Sequence, residues 1–195
     1  LSAELSGSYN SAVLGKNLYE EEHPEAKVHV FNSCSAAVGE TKIALKIQEC
    51  EEAGMSFAET VETVERFTLE MHTYFVLETL ENLRKNGRLS AVKAFVASAL
   101  NIKPVMGATD QGVIIQLGQA RGMQKALRKM VEVMAEEVKN PEEKVLGLVH
   151  CNNRERAEWV KAEVQKLVKV KDIIIVESSG VSTLYAAQGG IIMVV

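Results

Sequence analysis

The chain has 195 residues, of which 47% are hydrophobic and 25% charged, and its net charge of −4 comes from interspersed acidic and basic residues. Such a pattern does not fit a nucleic-acid-binding protein, which carries a basic patch, and no apolar run is long enough to span a membrane. The three cysteines, Cys34, Cys50 and Cys151, lie at unrelated spacings that favour neither a disulfide framework nor a zinc site. They indicate small buried thiols in a reducing, cytoplasmic environment.

The first part of the chain alternates between helical and strand patterns. In chain order, the pattern predicts a helix over residues 7–20, a strand over 27–33, helices over 35–54 and 56–72, a strand over 73–78 and a short helix over 79–87. Gly54 is placed to end the second helix, and Ser56 with Glu59 forms a capping-box signature at the start of the third. Alternating strands and helices favour a parallel sheet flanked by helices.

The second part has a different order of elements. The pattern predicts a helix over residues 91–100, a hairpin over 101–120 with its turn at 110–112, a helix over 121–140, a strand over 144–151, a helix over 153–168, and strands over 172–178 and 189–195. A hairpin joined to strand–helix–strand units indicates an α+β domain with a mixed or antiparallel sheet. We therefore predict two domains, over residues 1–86 and 87–195, with the boundary near the stretch NGRLS.

The stretch LSGSYNSA, residues 5–12, places Ser6, Gly7 and Ser8 at the start of the first predicted helix. The first turn of a helix has backbone N–H groups without partners and a positive dipole end, and hydroxyls add further donors. This combination favours an anion site for phosphate or carboxylate. The alternative is that Ser6 or Ser8 is only the helix N-cap, and spacing alone favours that reading.

Other polar residues stand at element boundaries. Asn32, Ser33 and Ser35 follow a predicted strand, where open α/β sheets bind ligands, although a simple strand-to-helix turn explains them equally. Arg88 and Arg121 lie beside glycines and suit bidentate recognition of phosphate or carboxylate, although each alone also fits a solvated surface arginine.

The spacing of His, Cys, Asp and Glu predicts no metal site. His72 and His150 each adjoin a predicted strand without a second ligand at metal-binding spacing. Gly189 and Gly190 mark either a turn or a close backbone approach before the last strand.

Taken in order, these stretches resemble the DegV family, the fatty-acid-binding subunits of bacterial fatty-acid kinase. LSGSYNSA resembles the family signature LSGTYQSA, and FNSCSAAVGE resembles the family pattern of alternating serines before a glycine-rich helix start. The stretches YFVLETLENLRKNGRLS, ALNIKPVM and QARGMQKAL resemble later family motifs. The resemblance covers essentially the whole chain, and it implies a two-domain α/β protein whose N-terminal parallel sheet is followed by a C-terminal α+β domain.

The family resemblance also implies a function. A long-chain fatty acid would be buried in an apolar tunnel between the domains, and a separate ATP-binding kinase subunit would phosphorylate its carboxylate to an acyl phosphate. Hydroxyls would hold the carboxylate, with the site formed by Ser6, Gly7, Ser8, Ser33, Ser35 and Tyr185. Arg88 and Arg121 would contact the phosphate or the kinase subunit. No cofactor, no metal and no intrinsic catalysis is expected.

This sequence differs from the family pattern in three respects. It lacks the segment with which the family usually begins, so we expect an N-terminal sheet without its leading strands. Tyr185 stands where many members have a histidine, and because tyrosine is neutral near pH 7 the headgroup loses one positive partner. Asn32 replaces a frequent aspartate. Two alternatives stay open: an enzyme that transfers phosphoryl or acyl groups, and a regulatory domain that binds another small anionic metabolite.

Overall fold

The computed structural model of the chain describes residues 1–89 and 101–195. Its elements are α1 (Ser8–Glu22), α2 (Val38–Glu52), α3 (Phe57–Leu69), β1 (Thr73–Val76), α4 (Glu81–Lys85), β2 (Ile102–Ala108), β3 (Ile114–Arg121), α5 (Met123–Glu137), a 3-10 turn (Pro141–Glu143), β4 (Val145–His150), α6 (Arg154–Leu167), β5 (Asp172–Glu177), α7 (Gly180–Ala186) and β6 (Ile191–Val194). The helix predicted over residues 91–100 lies outside the described residues.

The six strands form one mixed sheet in the order β3-β2-β1-β6-β4-β5. Only β4 and β5 run parallel, and every other neighbouring pair is antiparallel. The predicted mixed α/β fold is therefore confirmed, and so is the hairpin, since β2 and β3 flank the expected turn. The strand β1 lies in the middle of this sheet, between β2 and β6.

The expectation of a parallel sheet in the first part is wrong for the described residues. Residues 27–33 carry no strand pairing there, and β1 runs antiparallel to both of its neighbours. A β-rich sequence becomes a strand only when a neighbouring strand satisfies its backbone N–H and C=O groups. The division into residues 1–86 and 87–195 stays a prediction, while β1 from the first range pairs with strands from the second.

Both faces of the sheet are covered by helices, which explains why its inner strands are almost continuously apolar. On one face, α5 and α6 bury Met130, Met134 and Val160 against Leu146 and Leu148 of β4. On the other face, Val38 of α2 packs against Val149 and Val194. Gly147 allows this approach, because a Cβ built there would lie 2.5 Å from a methyl carbon of Val38.

The local signals at the ends of α2 and α3 are confirmed. Gly54 follows the end of α2 with a φ of +73°, the left-handed conformation that glycine adopts at helix C-termini. At the start of α3, the Ser56 hydroxyl accepts the Glu59 N–H and the Glu59 carboxylate accepts the Ser56 N–H. These two helices lead the chain into β1 and so fix the strand on which the candidate site is built.

Candidate functional site

An apolar cleft of about 920 Å³, counted out to its mouth, opens on the face of the sheet where β1, β6 and the β2–β3 hairpin meet α4 and α7. Its floor consists mostly of aliphatic and aromatic side chains that form one cluster: Leu5, Phe75, Leu77, Leu83, Ile114 and Ile192. Ligand-binding clefts are typically apolar, with a few polar groups that fix orientation. We therefore take this cleft as the candidate functional site.

Ser6 lines the cleft, whereas Gly7 and Ser8 are exposed and do not. The N-cap position of α1 is Gly7, and no side chain caps the helix. The Ser6 hydroxyl oxygen accepts the N–H of Ser8 at 3.2 Å, which leaves its proton free to donate to a ligand. Ser6 therefore lies one residue before the N-cap position and accepts one N–H of the first turn of α1, and of the three residues only Ser6 lines the cleft.

Ser35 lines the cleft from a tightly folded loop that precedes α2. The residues Cys34 and Ala37 on either side of it have positive φ values of 47° and 54°. The Ser35 and Thr73 hydroxyl oxygens lie 2.7 Å apart in a hydrogen bond that ties the loop to the start of β1. Ser33 is buried behind the loop, where its hydroxyl donates to the Ser35 carbonyl, so Ser33 shapes the loop rather than lining the cleft.

The buried residue Ser2 brings Ser6 and Ser35 together. Its N–H donates to the Ser35 carbonyl, its carbonyl accepts the Ser6 N–H, and its hydroxyl donates to the carbonyl of Gly112 in the hairpin turn. Asn32 strengthens the same junction, because its side-chain oxygen accepts the N–H groups of Ala3 and Cys34. Three separate parts of the sequence are therefore joined at the cleft by directed hydrogen bonds.

Arg88 and Tyr185 lie together on the cleft wall. The Arg88 Nε donates to the carbonyl of Leu5 at 3.0 Å, and a second guanidinium nitrogen donates to the carbonyl of Asn86. The guanidinium carbon lies 6.0 Å from the centre of the Tyr185 ring, within the range of a cation–π interaction. Arg88 thus brings a positive charge to the cleft, next to Ser6 in space, because it is hydrogen-bonded to the residue that precedes Ser6.

Arg121 is not brought to the cleft. It is exposed at the far end of β3, seven residues beyond Ile114, which does line the cleft. At about 3.3 Å per residue along a strand, the two positions are separated by roughly 23 Å. In this fold, Arg121 is therefore too far from the cleft to contact a ligand bound there.

The two histidines singled out from the sequence do not line the cleft either. His150 is buried, and its Nδ1 accepts the N–H of Asn153, which stabilises the turn before α6. His72 immediately precedes β1 and lines a different cleft. Within residues 1–89 and 101–195, no group of His, Cys, Asp or Glu side chains is arranged to hold a metal ion.

Three cleft residues with a hydroxyl or a thiol were not predicted from the sequence: Cys34, Thr73 and Ser182. Burial, and after it the nearby Asp110 carboxylate, raise the pKa of the Cys34 thiol, so this thiol is a poor nucleophile at neutral pH. Thr73 could have been identified as a candidate site residue, because it is the polar first residue of a strand whose next two residues, Tyr74 and Phe75, are buried. Ser182 could not have been identified from the sequence pattern, because its helix is only seven residues long and shows no helical period.

The wall that carries Tyr185 is held by an ionic network centred on Glu78. The Glu78 carboxylate lies 2.8 Å from Lys103 Nζ and 2.9 Å from an Arg156 guanidinium nitrogen, and Arg156 also donates to the carbonyl of Gly189 in the turn after α7. Burial acts to raise the pKa of Glu78, but the hydrogen bonds from Lys103 and Arg156 outweigh it and hold the pKa below its usual value. The carboxylate is therefore ionised at neutral pH and fixes the turn that follows α7.

No helix in the described ranges combines the length and the apolar character that crossing a bilayer would need.

Comparison with known proteins gives a consistent result. The model of a family described as "Uncharacterised protein, DegV family" matches residues 1–194 of this chain. A curated relative, a DegV domain-containing protein of Streptococcus pneumoniae (strain TIGR4), is 33% identical over 193 residues, which are 99% of this chain and 68% of that protein.

Two solved structures are similar over the whole of this chain. A DegV family protein from Ruminococcus gnavus, refined with vaccenic acid, is 60% identical with a TM-score of 0.97, and the match covers 69% of that chain. The Fatty Acid Kinase (Fak) B3 protein of Streptococcus pneumoniae, loaded with linoleic acid, is 32% identical with a TM-score of 0.88, and the match covers 68% of that chain.

Proposed function

The chain belongs to the DegV family, and on that premise we propose that it binds one long-chain fatty acid in the apolar cleft and presents the carboxylate to a kinase subunit. The similar structure that carries vaccenic acid is the observation on which the proposal chiefly depends, because it is 60% identical to this chain. The cleft supplies the matching chemistry, with an aliphatic floor and hydroxyls at its rim.

The apolar floor supplies the main driving force for binding. Each buried methylene contributes about 0.8 kcal/mol, so a sixteen-carbon chain gains roughly 10 kcal/mol before the cost of ordering is subtracted. Phe75, Leu77 and Ile114 lie in the part of the cleft that would cover the acyl chain. The polar groups then decide which end of the fatty acid enters first.

The carboxylate binds, in this proposal, at the side of the cleft that carries Ser6, Arg88 and Tyr185. The Ser6 and Tyr185 hydroxyls act as neutral donors, while the Arg88 guanidinium gives a positive potential that favours the ionised carboxylate. One of the Ser35 and Thr73 hydroxyls donates to the other in their 2.7 Å hydrogen bond, so the pair offers the ligand one hydroxyl proton instead of two.

The carboxylate is the group that the kinase subunit would phosphorylate to an acyl phosphate. In this proposal the kinase subunit supplies the nucleotide and the phosphoryl-transfer chemistry, and the chain itself acts as a carrier. Arg121 fits a contact with that subunit better than a contact with the fatty acid, because it is exposed and about 23 Å from the cleft along β3.

The test uses two serine variants that differ in their relation to the cleft. Ser6→Ala removes the proposed donor, whereas Ser8→Ala changes an exposed serine two residues away that does not line the cleft. The purified proteins are weighed by native mass spectrometry, and their lipids are then extracted and identified. We expect a bound fatty acid of fourteen to eighteen carbons in the wild type and in Ser8→Ala, and at least a fivefold lower retention in Ser6→Ala, since a lost hydrogen bond to a charged group costs about 1.5–3 kcal/mol.

Two outcomes would count against the proposal in different ways. A wild-type protein that carries no fatty acid and takes none up when fatty acid is added would refute the carrier function. Equal retention in Ser6→Ala and Ser8→Ala would leave binding in place but would remove Ser6 from the carboxylate site. The alternative function, binding of another small anionic metabolite, predicts a polar acidic compound in the extract instead of a fatty acid.

A further inference from the structure

A second cleft, of about 1820 Å³ out to its mouth, lies between α2, α3 and the beginnings of β4 and β5. It shares no lining residue with the apolar cleft in which we propose that the fatty acid binds. Its walls combine apolar side chains, such as Leu45 and Phe67, with a mixture of lysines and carboxylates. One lysine in it, Lys42, differs from the others in its surroundings.

Lys42 is 5% exposed and lies on the buried face of α2, next to the core residues Val38 and Ile43. Lysine is almost never buried to this extent unless an opposite charge pairs with it. Within residues 1–89 and 101–195, no carboxylate lies within ion-pair distance of its Nζ. The nearest partner with a favourable interaction is the Phe67 ring, whose centre lies 5.6 Å from the Nζ.

The neighbouring lysines have the partners that Lys42 lacks. Lys46 Nζ lies 3.0 Å from the Glu49 carboxylate, and Lys144 Nζ lies 3.2 Å from the carbonyl oxygen of Glu70 and 3.7 Å from its carboxylate. Burial and, after it, the positive charge of Lys144 lower the pKa of Lys42 to about 7.

A desolvated lysine next to a second cation is the arrangement by which proteins turn an amine into a nucleophile. We propose that Lys42 is an acylation site, where a small activated acyl donor of the acyl phosphate or thioester class enters the second cleft and modifies the side-chain amine. The proposal does not depend on fatty-acid binding, because the two clefts are lined by different residues.

The reaction balances without any further reactant. The lone pair of the neutral Lys42 nitrogen attacks the acyl carbonyl carbon, a C–N bond forms, and the bond from that carbon to the leaving oxygen or sulfur breaks. The phosphate or thiolate leaves with the electron pair, and the surplus amine proton passes to water. The product is a neutral amide, which removes the buried charge and its repulsion from Lys144.

The surroundings of Lys42 set the expected selectivity. At pH 7 a lysine with a pKa of about 7 is half neutral, whereas an ordinary lysine with a pKa near 10.4 is neutral in only about one molecule in 2500. A weaker base is also a weaker nucleophile, and this offsets part of the gain. We expect acylation of Lys42 to be at least about tenfold faster than that of an ordinary exposed lysine.

The experiment treats the whole unmodified chain at pH 7 with acetyl phosphate and follows each lysine by proteolysis and mass spectrometry. The internal references are Lys125 and Lys169, which are exposed and take part in no ion pair of the described residues. An initial rate at Lys42 at least about tenfold above both references supports the proposal. A rate at Lys42 equal to or below the references overturns it, and neither result depends on a variant that must fold.

A substitution at the neighbouring cation separates activation from mere accessibility. Lys144→Met removes the charge that disfavours protonated Lys42, so acetylation of Lys42 should slow severalfold while that of Lys125 and Lys169 stays unchanged. An unchanged Lys42 rate in Lys144→Met would overturn the proposed activation by the second cation.

Discussion

Removing the charge of Glu78 without changing its shape tests the network that holds the cleft wall. Glu78→Gln leaves Lys103 and Arg156, whose side chains are only 19% and 21% exposed, without their counter-ion. Breaking a fully buried pair costs 3–5 kcal/mol, whereas an exposed pair contributes 0.2–1 kcal/mol. Because Glu78 itself is 37% exposed, we expect the free energy of unfolding to fall by about 1–2 kcal/mol at pH 7.

The pH dependence of this loss follows from the direction of the pKa shift. The folded-state pKa of Glu78 lies below its usual value, so its contribution to stability is fully present above the unfolded pKa near 4.3 and is lost as the pH falls through the lower folded pKa. The difference in stability between the wild type and Glu78→Gln should therefore be constant near neutral pH and shrink below about pH 4.

The assay is urea unfolding of both proteins at pH 7 and at a series of acidic pH values. Glu81→Gln is the matched control, since Glu81 pairs with Arg84 and Lys85 on an exposed helical turn and should change stability little. We also expect Glu78→Gln to release bound fatty acid faster, because the Arg156 contact to Gly189 fixes the turn next to α7. Equal stability of Glu78→Gln and Glu81→Gln at pH 7, or a difference that persists in acid, would refute the reasoning.

Two further predictions concern the cleft and its frame. Across saturated fatty acids of ten to fourteen carbons, the Kd measured by calorimetry should fall about fourfold per methylene; a Kd that does not depend on chain length would contradict burial of the chain in the apolar cleft. Gly112→Ala should lower the free energy of unfolding by about 1–3 kcal/mol, because Gly112 has a φ of +81° and a Cβ there would lie 2.8 Å from the Cys34 backbone. Gly87→Ala is its control, with a similar φ of +73° but open space around the Cβ, and equal losses in the two variants would show that the contact with Cys34 does not matter.

Local signals allowed most elements to be predicted from the sequence. The Ser56–Glu59 capping box, Gly54 and the hairpin turn depend on interactions between residues close in the chain, and the structure shows all three. The strand expected over residues 27–33 failed because a strand depends on a neighbour that lies elsewhere in the chain. The helix α7 was missed because seven residues are too few to show a helical period.

The candidate site shows the same division between local and distant causes. Ser6, Ser35 and Arg88 were predicted from their positions at element boundaries and Tyr185 from the family resemblance, and all four line the cleft. Arg121 also stands at a boundary, but only the direction and length of β3 determine that it ends far from the cleft. The role proposed for Lys42 in the second cleft depends on burial and on Lys144, neither of which a sequence pattern indicates.

The position of β1 and β6 at the middle of the sheet has a consequence for how the protein folds. These two strands pair from Thr73 with Val194 to Val76 with Ile191, so the whole of residues 77–190 must form the loop that their pairing closes. The hairpin of β2 and β3 can form early, because few residues separate its strands, but the centre of the sheet must wait until the two ends of this long loop meet. During synthesis, the edge of β1 that faces β6 therefore stays unpaired until β6 has left the ribosome, and in that interval it offers a template on which a second nascent chain can aggregate.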